Sequence, residues 1–323
     1  MSKQFIKDLA DKDNIKSIFL VGDKQLLTDK KGKNYLNMNL SDKSGILNAR
    51  MWDKVDSVAH LFDTGDFVEV KGHVQFYQNK KQIVVHDVKK VEPETVDIKD
   101  FIAASINPPE ETLQKILEFV GQIKNQDIKN LLESTLNEEE WKPNLLKAPA
   151  AKTIHHAYVG GLLDHILSIC RIMAFLADQY PFLNRDLLFF GAIYHDIGKI
   201  RELNLEQGIQ YSTEGRLVGH MGIALEMIDK KFVELKIEDL ELKSILKHIV
   251  LSHHGRLEYG SPKRPKFLEA LVVSMIDELD SRINSLENIM STELSNNQEW
   301  TSYSQQYDRY FYLEILRKKL EGN

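Results

Sequence analysis

Tyr194-His195-Asp196-Ile197-Gly198-Lys199 is the stretch on which the reading of this chain turns. Adjacent imidazole and carboxylate side chains can ligate one divalent ion from a single helix end. Alone the pair would say little, because histidines are common in cores and on surfaces. Here it belongs to an ordered set: His165, then His195–Asp196, then His220, then His253–His254, then Asp277. Eight of the eleven histidines fall between positions 155 and 254. The apolar run Asp186–Tyr194 predicts a helix leading into the pair, with Gly198 expected to let that helix stop. His165 falls mid-helix in Leu162–Leu167, and Asp277 lies in the otherwise apolar Val272–Asp280. A carboxylate facing a core needs a metal or a hydrogen-bond partner. Asp280, one turn later, is a candidate to stand behind a ligand or on the substrate side. Imidazole with carboxylate suits Mn, Fe, Co, Ni or Zn, and converging helices are how bundles build such sites.

Outward from that run, 323 residues are enough for two domains with ample cores. The net charge of −6 is unevenly spread: residues 1–92 carry 16 Lys and Arg against 13 Asp and Glu, and the remainder 26 against 35. A mildly basic first part joined to an acidic second part fits a binding module attached to a metal-holding one. One cysteine, Cys170, excludes an internal disulfide and a cysteine-rich zinc site; it is expected in the core beside His165. No apolar run is long enough to span a membrane, and Met1–Asp8 lacks the apolar stretch of a secretory signal, so a cytoplasmic location is the default expectation. Neither a Gly-x-Ser-x-Gly elbow nor a Walker loop is present, which leaves hydrolysis by metal-activated water as the economical chemistry.

Residues 14–92 read as β-structure. Ile15–Val21, Asn34–Leu40, Gly45–Trp52, Phe67–Phe76 and Gln82–His86 are β-rich runs. Turn signals separate them at Asp29–Gly32, Ser41–Gly45, Asp63–Asp66 and Gln78–Lys81. Five short strands, with a longer connection through Val55–Phe62 before the last hairpin, predict an OB-fold barrel. Its domain is assigned to 1–92, a proline-marked linker to 93–109, and an all-α bundle to 110–323. Helical periodicity predicts helices at 110–123, 126–136, 160–179, 184–199, 217–231, 238–252, 265–287 and 299–320. In the last of these, Trp300, Tyr303, Tyr307, Tyr310, Phe311 and Tyr312 are expected to pack on the bundle or on another subunit.

The order of histidines and aspartates resembles the HD-domain metal phosphohydrolases, all-helical enzymes that hydrolyse phosphate esters. Longer stretches narrow the likeness. His155–His165, His195–Lys199, Ser252–Pro262, Pro265 with Glu269–Ala270, and Asp277–Asp280, behind an OB-like domain, resemble the YhaM family of bacterial 3′-to-5′ exoribonucleases over essentially the whole chain. The resemblance implies His165, His195, Asp196 and Asp277 as ligands of a core metal. It implies that His220, His253 and His254 hold a second metal or contact phosphate, and that Lys199 contacts substrate phosphate. It further implies manganese-type dependence on one or two ions, with Fe, Co, Ni or Zn as alternatives, and single-stranded RNA as substrate with some action on single-stranded DNA. Some cyclic-dinucleotide phosphodiesterases carry glutamate four residues before the first histidine. Here that residue is Gly161, and their Gly-Tyr-Pro signature is absent.

The expected catalytic group is thus His195, Asp196, Lys199, His220 and His253, within a metal core at 155–280. The base is open between the activated water itself and His220, His253 or His254. Expected substrate contacts are His155, His156, Lys199, Arg256, Tyr259, Ser261 and Asp280. Tyr35, Trp52, Phe76 and Tyr77 are candidates to stack on bases in the barrel. The rival readings are an HD-type nucleotide or cyclic-dinucleotide phosphohydrolase and a non-catalytic RNA-binding regulator. No membrane partner is expected, and a homo-oligomer is left open.

Overall fold

The computed structural model describes residues 3–77, 80–152, 156–205, 208–294 and 298–321. Alternating side chains in the first part build five strands: β1 (Asn14–Thr28), β2 (Asn34–Asp42), β3 (Gly45–Met51), β4 (Phe67–Tyr77) and β5 (Lys80–Val91). They close a barrel in the order β1-β2-β3-β5-β4. Every pair is antiparallel except β3 with β5. This is the OB topology, and α1 (Val55–Val58) sits in the connection before β4. Leu36, Met38 and Leu40 of β2 and Leu47, Ala49 and Met51 of β3 point into the barrel with Phe19, Val70 and Ile83. Their alternates therefore form an outer face, with Asn37 opposite Arg50 and Asn39 opposite Asn48. β1 and β5 run longer than their apolar patterns predict. The turn expected at Gln78–Lys81 lies partly outside the described residues.

The 93–109 segment is anchored at two places. Phe101 and Ile102 are buried, and the Phe101 ring lies 4.7 Å from that of Phe67 in the barrel. The Ser105 N–H donates to the Val159 carbonyl at 2.8 Å, tying the segment to the start of the helical part.

That part comprises α2 (Pro109–Gly121), α3 (Gln126–Leu136), α4 (Lys142–Leu145), α5 (Gly161–Gln179), α6 (Arg185–Tyr194), α7 (Lys199–Glu202), α8 (Thr213–Leu217), α9 (Gly219–Glu234), α10 (Leu240–Ser252), α11 (Leu268–Glu293) and α12 (Glu314–Glu321). A short hairpin, β6 (Leu203–Asn204) with β7 (Gln210–Tyr211), follows α7. Ile166, Phe189, Phe190, Ile223 and Ile249 lie at the centre of one continuous core, and Cys170 is fully buried among them. Among the described residues no helix is long and apolar enough to cross a membrane.

Two expectations about local structure need correcting. Gly198 has φ −62°, so it is not a left-handed helix stop. It is a close approach: a Cβ there would lie 2.0 Å from the His220 carbonyl oxygen. The helix expected at 299–320 is confined to α12. Trp300–Tyr312 instead folds back on itself, with bridges Trp300–Tyr312 and Ser304–Arg309. Its aromatic residues favour extended backbone, and Asp308 takes the left-handed conformation (φ 53°) that helps the turn.

Candidate metal centre

Five helices deliver the clustered side chains. α5 carries His165, the turn after α6 carries His195 and Asp196, the start of α9 carries His220, the end of α10 leads into His253 and His254, and α11 carries Asp277 and Asp280. In a first group, His165 Nε2 lies 3.2 Å from His195 Nε2 and 3.3 Å from Asp277 Oδ1. Asp196 Oδ2 lies 3.7 and 3.5 Å from the same two nitrogens. In a second group, His220 Nε2 lies 3.4 Å from His253 Nε2, and Asp196 Oδ1 is 3.5 and 3.6 Å from them. His254 joins His220 and His253, each of the three offering one ligand atom within 4.8 Å of the others. Asp196 thus faces one histidine set with each oxygen.

The outer ring nitrogens orient each imidazole. Nδ1 of His195 donates to the Gly191 carbonyl at 2.9 Å, and Nδ1 of His253 to the Val250 carbonyl at 2.7 Å. Nδ1 of His254 donates to the Tyr259 carbonyl at 2.9 Å. Nδ1 of His165 and His220 donate to Asp280 Oδ2 (2.8 Å) and Glu202 Oε1 (3.0 Å). In its neutral form each ring turns an Nε2 lone pair inward, the arrangement that outer hydrogen bonds impose on metal-ligating histidines. Among the described residues Asp196 Oδ1 is buried with no hydrogen-bond partner, while Oδ2 accepts from Lys199 Nζ at 2.6 Å. Converging lone pairs and an orphaned anionic oxygen fit a divalent cation.

The electrostatics agree. Burial works against charge on His195, yet Asp196 and Asp277 outweigh it and hold the imidazole pKa up to about 10. Burial likewise opposes charge on Asp196 and Asp277, but Lys199 and His195 for the first, and His165 and His195 for the second, hold both carboxyls well below the usual range. His253 is pushed well below its ordinary value by burial and by neighbouring histidines. The field that retains protons here is the field that attracts a cation.

Two glycines shape the centre. Gly198 admits the His220 backbone, as described above. At Gly161 a Cβ would lie 2.0 Å from the His156 carbonyl oxygen, so no glutamate can occupy the position four residues before His165.

Several sequence candidates are engaged by neighbouring groups of the protein. Asp280 sits behind His165, also accepting from Ser168 Oγ and lying 3.1 Å from His156 Nε2. His156 in turn meets the Tyr158 hydroxyl at 2.9 Å. Ser261 is buried, its Oγ 2.9 and 2.8 Å from the Leu251 and Lys263 carbonyls, which pins its loop. Arg256 is exposed, its guanidinium 5.6 Å from the Tyr259 ring. His155 lies outside the described residues. Glu202 was not anticipated, because nothing in its spacing marks it; it accepts from both the Nδ1 and the backbone N–H of His220.

A cavity of about 460 Å³ opens onto the centre. Asp196, Lys199, His253, His254 and Asp277 lie on the metal side, and Tyr259, Ser274 and Arg282 contribute walls. Gln306 and Tyr307 also line it, from the segment that sequence reasoning assigned to packing. On the barrel, Tyr35 and Trp52 stack with ring centroids 4.5 Å apart. Phe76 and Tyr77 are exposed at the end of β4, and the Arg50 guanidinium lies 6.0 Å from the Tyr77 ring.

Residues 162–282 match the HD domain family, and residues 18–91 match the family described as an OB-fold nucleic acid binding domain. The chain is 34% identical over 264 residues to the 3′-5′ exoribonuclease YhaM of Listeria welshimeri, covering 81% of this chain and 83% of that one. It is 35% identical over 257 residues to the 3′-5′ exoribonuclease YhaM of Bacillus subtilis, covering 79% and 81% respectively. With the barrel, the helical bundle and the histidine–aspartate centre in the order these matches require, the chain belongs to the YhaM family of 3′-5′ exoribonucleases.

Proposed function

We propose that this protein shortens single-stranded RNA from its 3′ end, cutting phosphodiesters at a two-ion centre that takes manganese. The observation that carries this reading is Asp196, whose two oxygens face two separate histidine sets while one of them has no hydrogen-bond partner among the described residues. His165, His195, Asp196 and Asp277 would hold one ion, and Asp196, His220, His253 and His254 the other. Bound there, divalent metals supply an activated water and offset charge on the phosphoryl oxygens.

The chain's own groups do the rest. Lys199 fixes the Asp196 carboxylate and brings positive charge to the cavity. Asp280 and Glu202 hold His165 and His220 in the ligating tautomer. The barrel, with Tyr35, Trp52, Phe76 and Tyr77 on its outside, offers stacking surfaces for unpaired bases. Such surfaces do not require a 2′-hydroxyl, so single-stranded DNA is a second substrate. We place the activity in the cytoplasm, where a lone buried thiol is at home.

The test is a time course with 5′-labelled single-stranded RNA and Mn²⁺, beside Asp196→Ala prepared identically. A ladder shortening from the 3′ end in the wild type, absent in the variant, is expected. Intact RNA in both, with metal demonstrably bound, overturns the reading in favour of a nucleotide phosphohydrolase or a regulatory RNA-binding protein.

A further inference from the structure

Gln306 and Tyr307 stand at the tip of the Trp300–Tyr312 hairpin. Its arms are tied by Thr301 N–H to the Phe311 carbonyl (2.9 Å), Ser304 N–H to the Arg309 carbonyl (2.9 Å) and Leu313 N–H to the Glu299 carbonyl (2.7 Å). Buried Thr301 and Leu313 anchor its base. The tip is braced too: the Tyr307 ring meets Phe311 edge-on at 5.5 Å, and its hydroxyl lies 3.5 Å from the Arg282 carbonyl oxygen. Tyr307 is therefore held in place while it lines the same cavity as Asp196, His253 and Asp277. Along α11, Arg282 follows Asp277 by five residues, roughly 7.5 Å of helix axis. The cavity runs from the candidate metal ligands, past Arg282, whose guanidinium pairs with Glu278 at 2.6 Å, to an aromatic ring and a side-chain amide.

That succession matches the order of groups in a terminal nucleotide: phosphate, sugar, base. A tyrosine ring stacks on any base without selecting among them, which suits an enzyme that must accept each new terminus in turn. A fixed hairpin tip also stops the strand from continuing past the centre. We propose that Tyr307 is a positioning residue that stacks on the 3′-terminal base, and that the hairpin tip is the end wall that confines cutting to the strand terminus. This rests on the reading of the cavity as an RNA-cleaving site.

The test uses the full chain with Mn²⁺ and two 5′-labelled RNA pentamers, one ending in adenosine and one in an abasic ribose. Wild type and Tyr307→Phe are expected to prefer the adenosine end by about 5- to 150-fold in kcat/KM, the range for one stacked base. Tyr307→Ala is expected to lose that preference and to cleave both RNAs as the wild type cleaves the abasic one. A preference retained in Tyr307→Ala overturns the proposal, and so does a wild type that does not distinguish the two ends. If Tyr307→Ala shows no cooperative melting transition, Tyr307→Leu replaces it, and the wild-type comparison still decides. A wild type with bound metal that cleaves neither RNA overturns the parent reading instead, a result distinct from cleavage without preference.

Discussion

His220 gives both its backbone N–H and its Nδ1–H to a single oxygen of Glu202, at 2.9 and 3.0 Å. That carboxyl is held below its ordinary pKa although burial opposes charge, because His220 donates to it. The pair fixes the ring that faces Asp196. Glu202→Ala is expected to weaken metal binding or activity about 10- to 100-fold, the usual cost of removing such a support. Calorimetric titration with Mn²⁺ measures it. An unchanged affinity would mean that His220 does not need Glu202 to bind metal.

Asp280 supports His165 in the same way from the opposite side of the centre. Asp280→Asn keeps the shape but removes the charge, and a loss of similar size, about 10- to 100-fold, is expected. The proposed roles differ from a direct phosphate contact in their readout. Excess Mn²⁺ is expected to restore most of the activity of either variant, whereas it would leave a lost substrate contact uncorrected.

Gly198 has no room for a side chain, with the His220 carbonyl oxygen 2.0 Å from the Cβ position. Gly198→Ala must push α9 away from the turn that carries His195 and Asp196. Overpacking of this kind costs about 1–3 kcal/mol or more, so a fall of several degrees in Tm is expected, at about 2–4 °C per kcal/mol for a domain of this size. An unaltered melting curve would show that the turn yields freely.

Metal binding is expected to release protons. In the metal-free protein His195 keeps its proton up to a pKa of about 10, raised by Asp196 and Asp277 against the effect of burial. A cation must displace that proton, so affinity rises with pH through the neutral range and falls in acid. Titrations in two buffers of different ionisation enthalpy count the protons. Binding heats independent of buffer would contradict the expected exchange.

The barrel's stacked pair offers a separable test. Trp52→Ala and Tyr35→Ala, each in the Asp196→Ala background so that RNA survives, are expected to weaken single-strand binding by about 1–3 kcal/mol. Fluorescence anisotropy at fixed salt reports it, and equal affinities would assign the Tyr35–Trp52 stack to structure alone.

The sequence carried the barrel and most of the bundle because both depend on periodicity. β2 alternates Leu36, Met38 and Leu40 with Tyr35, Asn37 and Asn39, and α2 repeats Leu113, Ile116 and Val120 on one side. The ligand candidates were legible as an ordered set, and the structure gathers His165, His195, Asp196, His220, His253, His254 and Asp277 in one place. What was not legible depends on contacts between distant segments. Glu202 looks like any acidic residue until the His220 ring is placed beside it. Asp280 was open between standing behind a ligand and facing substrate, and only the fold shows it bonded to His165 and beside His156. The tyrosines after Trp300 have spacings that suit a helix, and only the folded-back backbone brings Tyr307 to the cavity.

Cys170, the one cysteine of the chain, is enclosed in the bundle, and burial raises its thiol pKa. Alkylating dyes therefore have no native target while the protein is folded. A cysteine introduced at exposed Ile46 on the barrel, paired with one at exposed Tyr310 on the hairpin, would carry donor and acceptor fluorophores without any background substitution. The folded chain is ready-made for single-molecule distance measurements, in which the separation of barrel and hairpin can be compared with and without RNA.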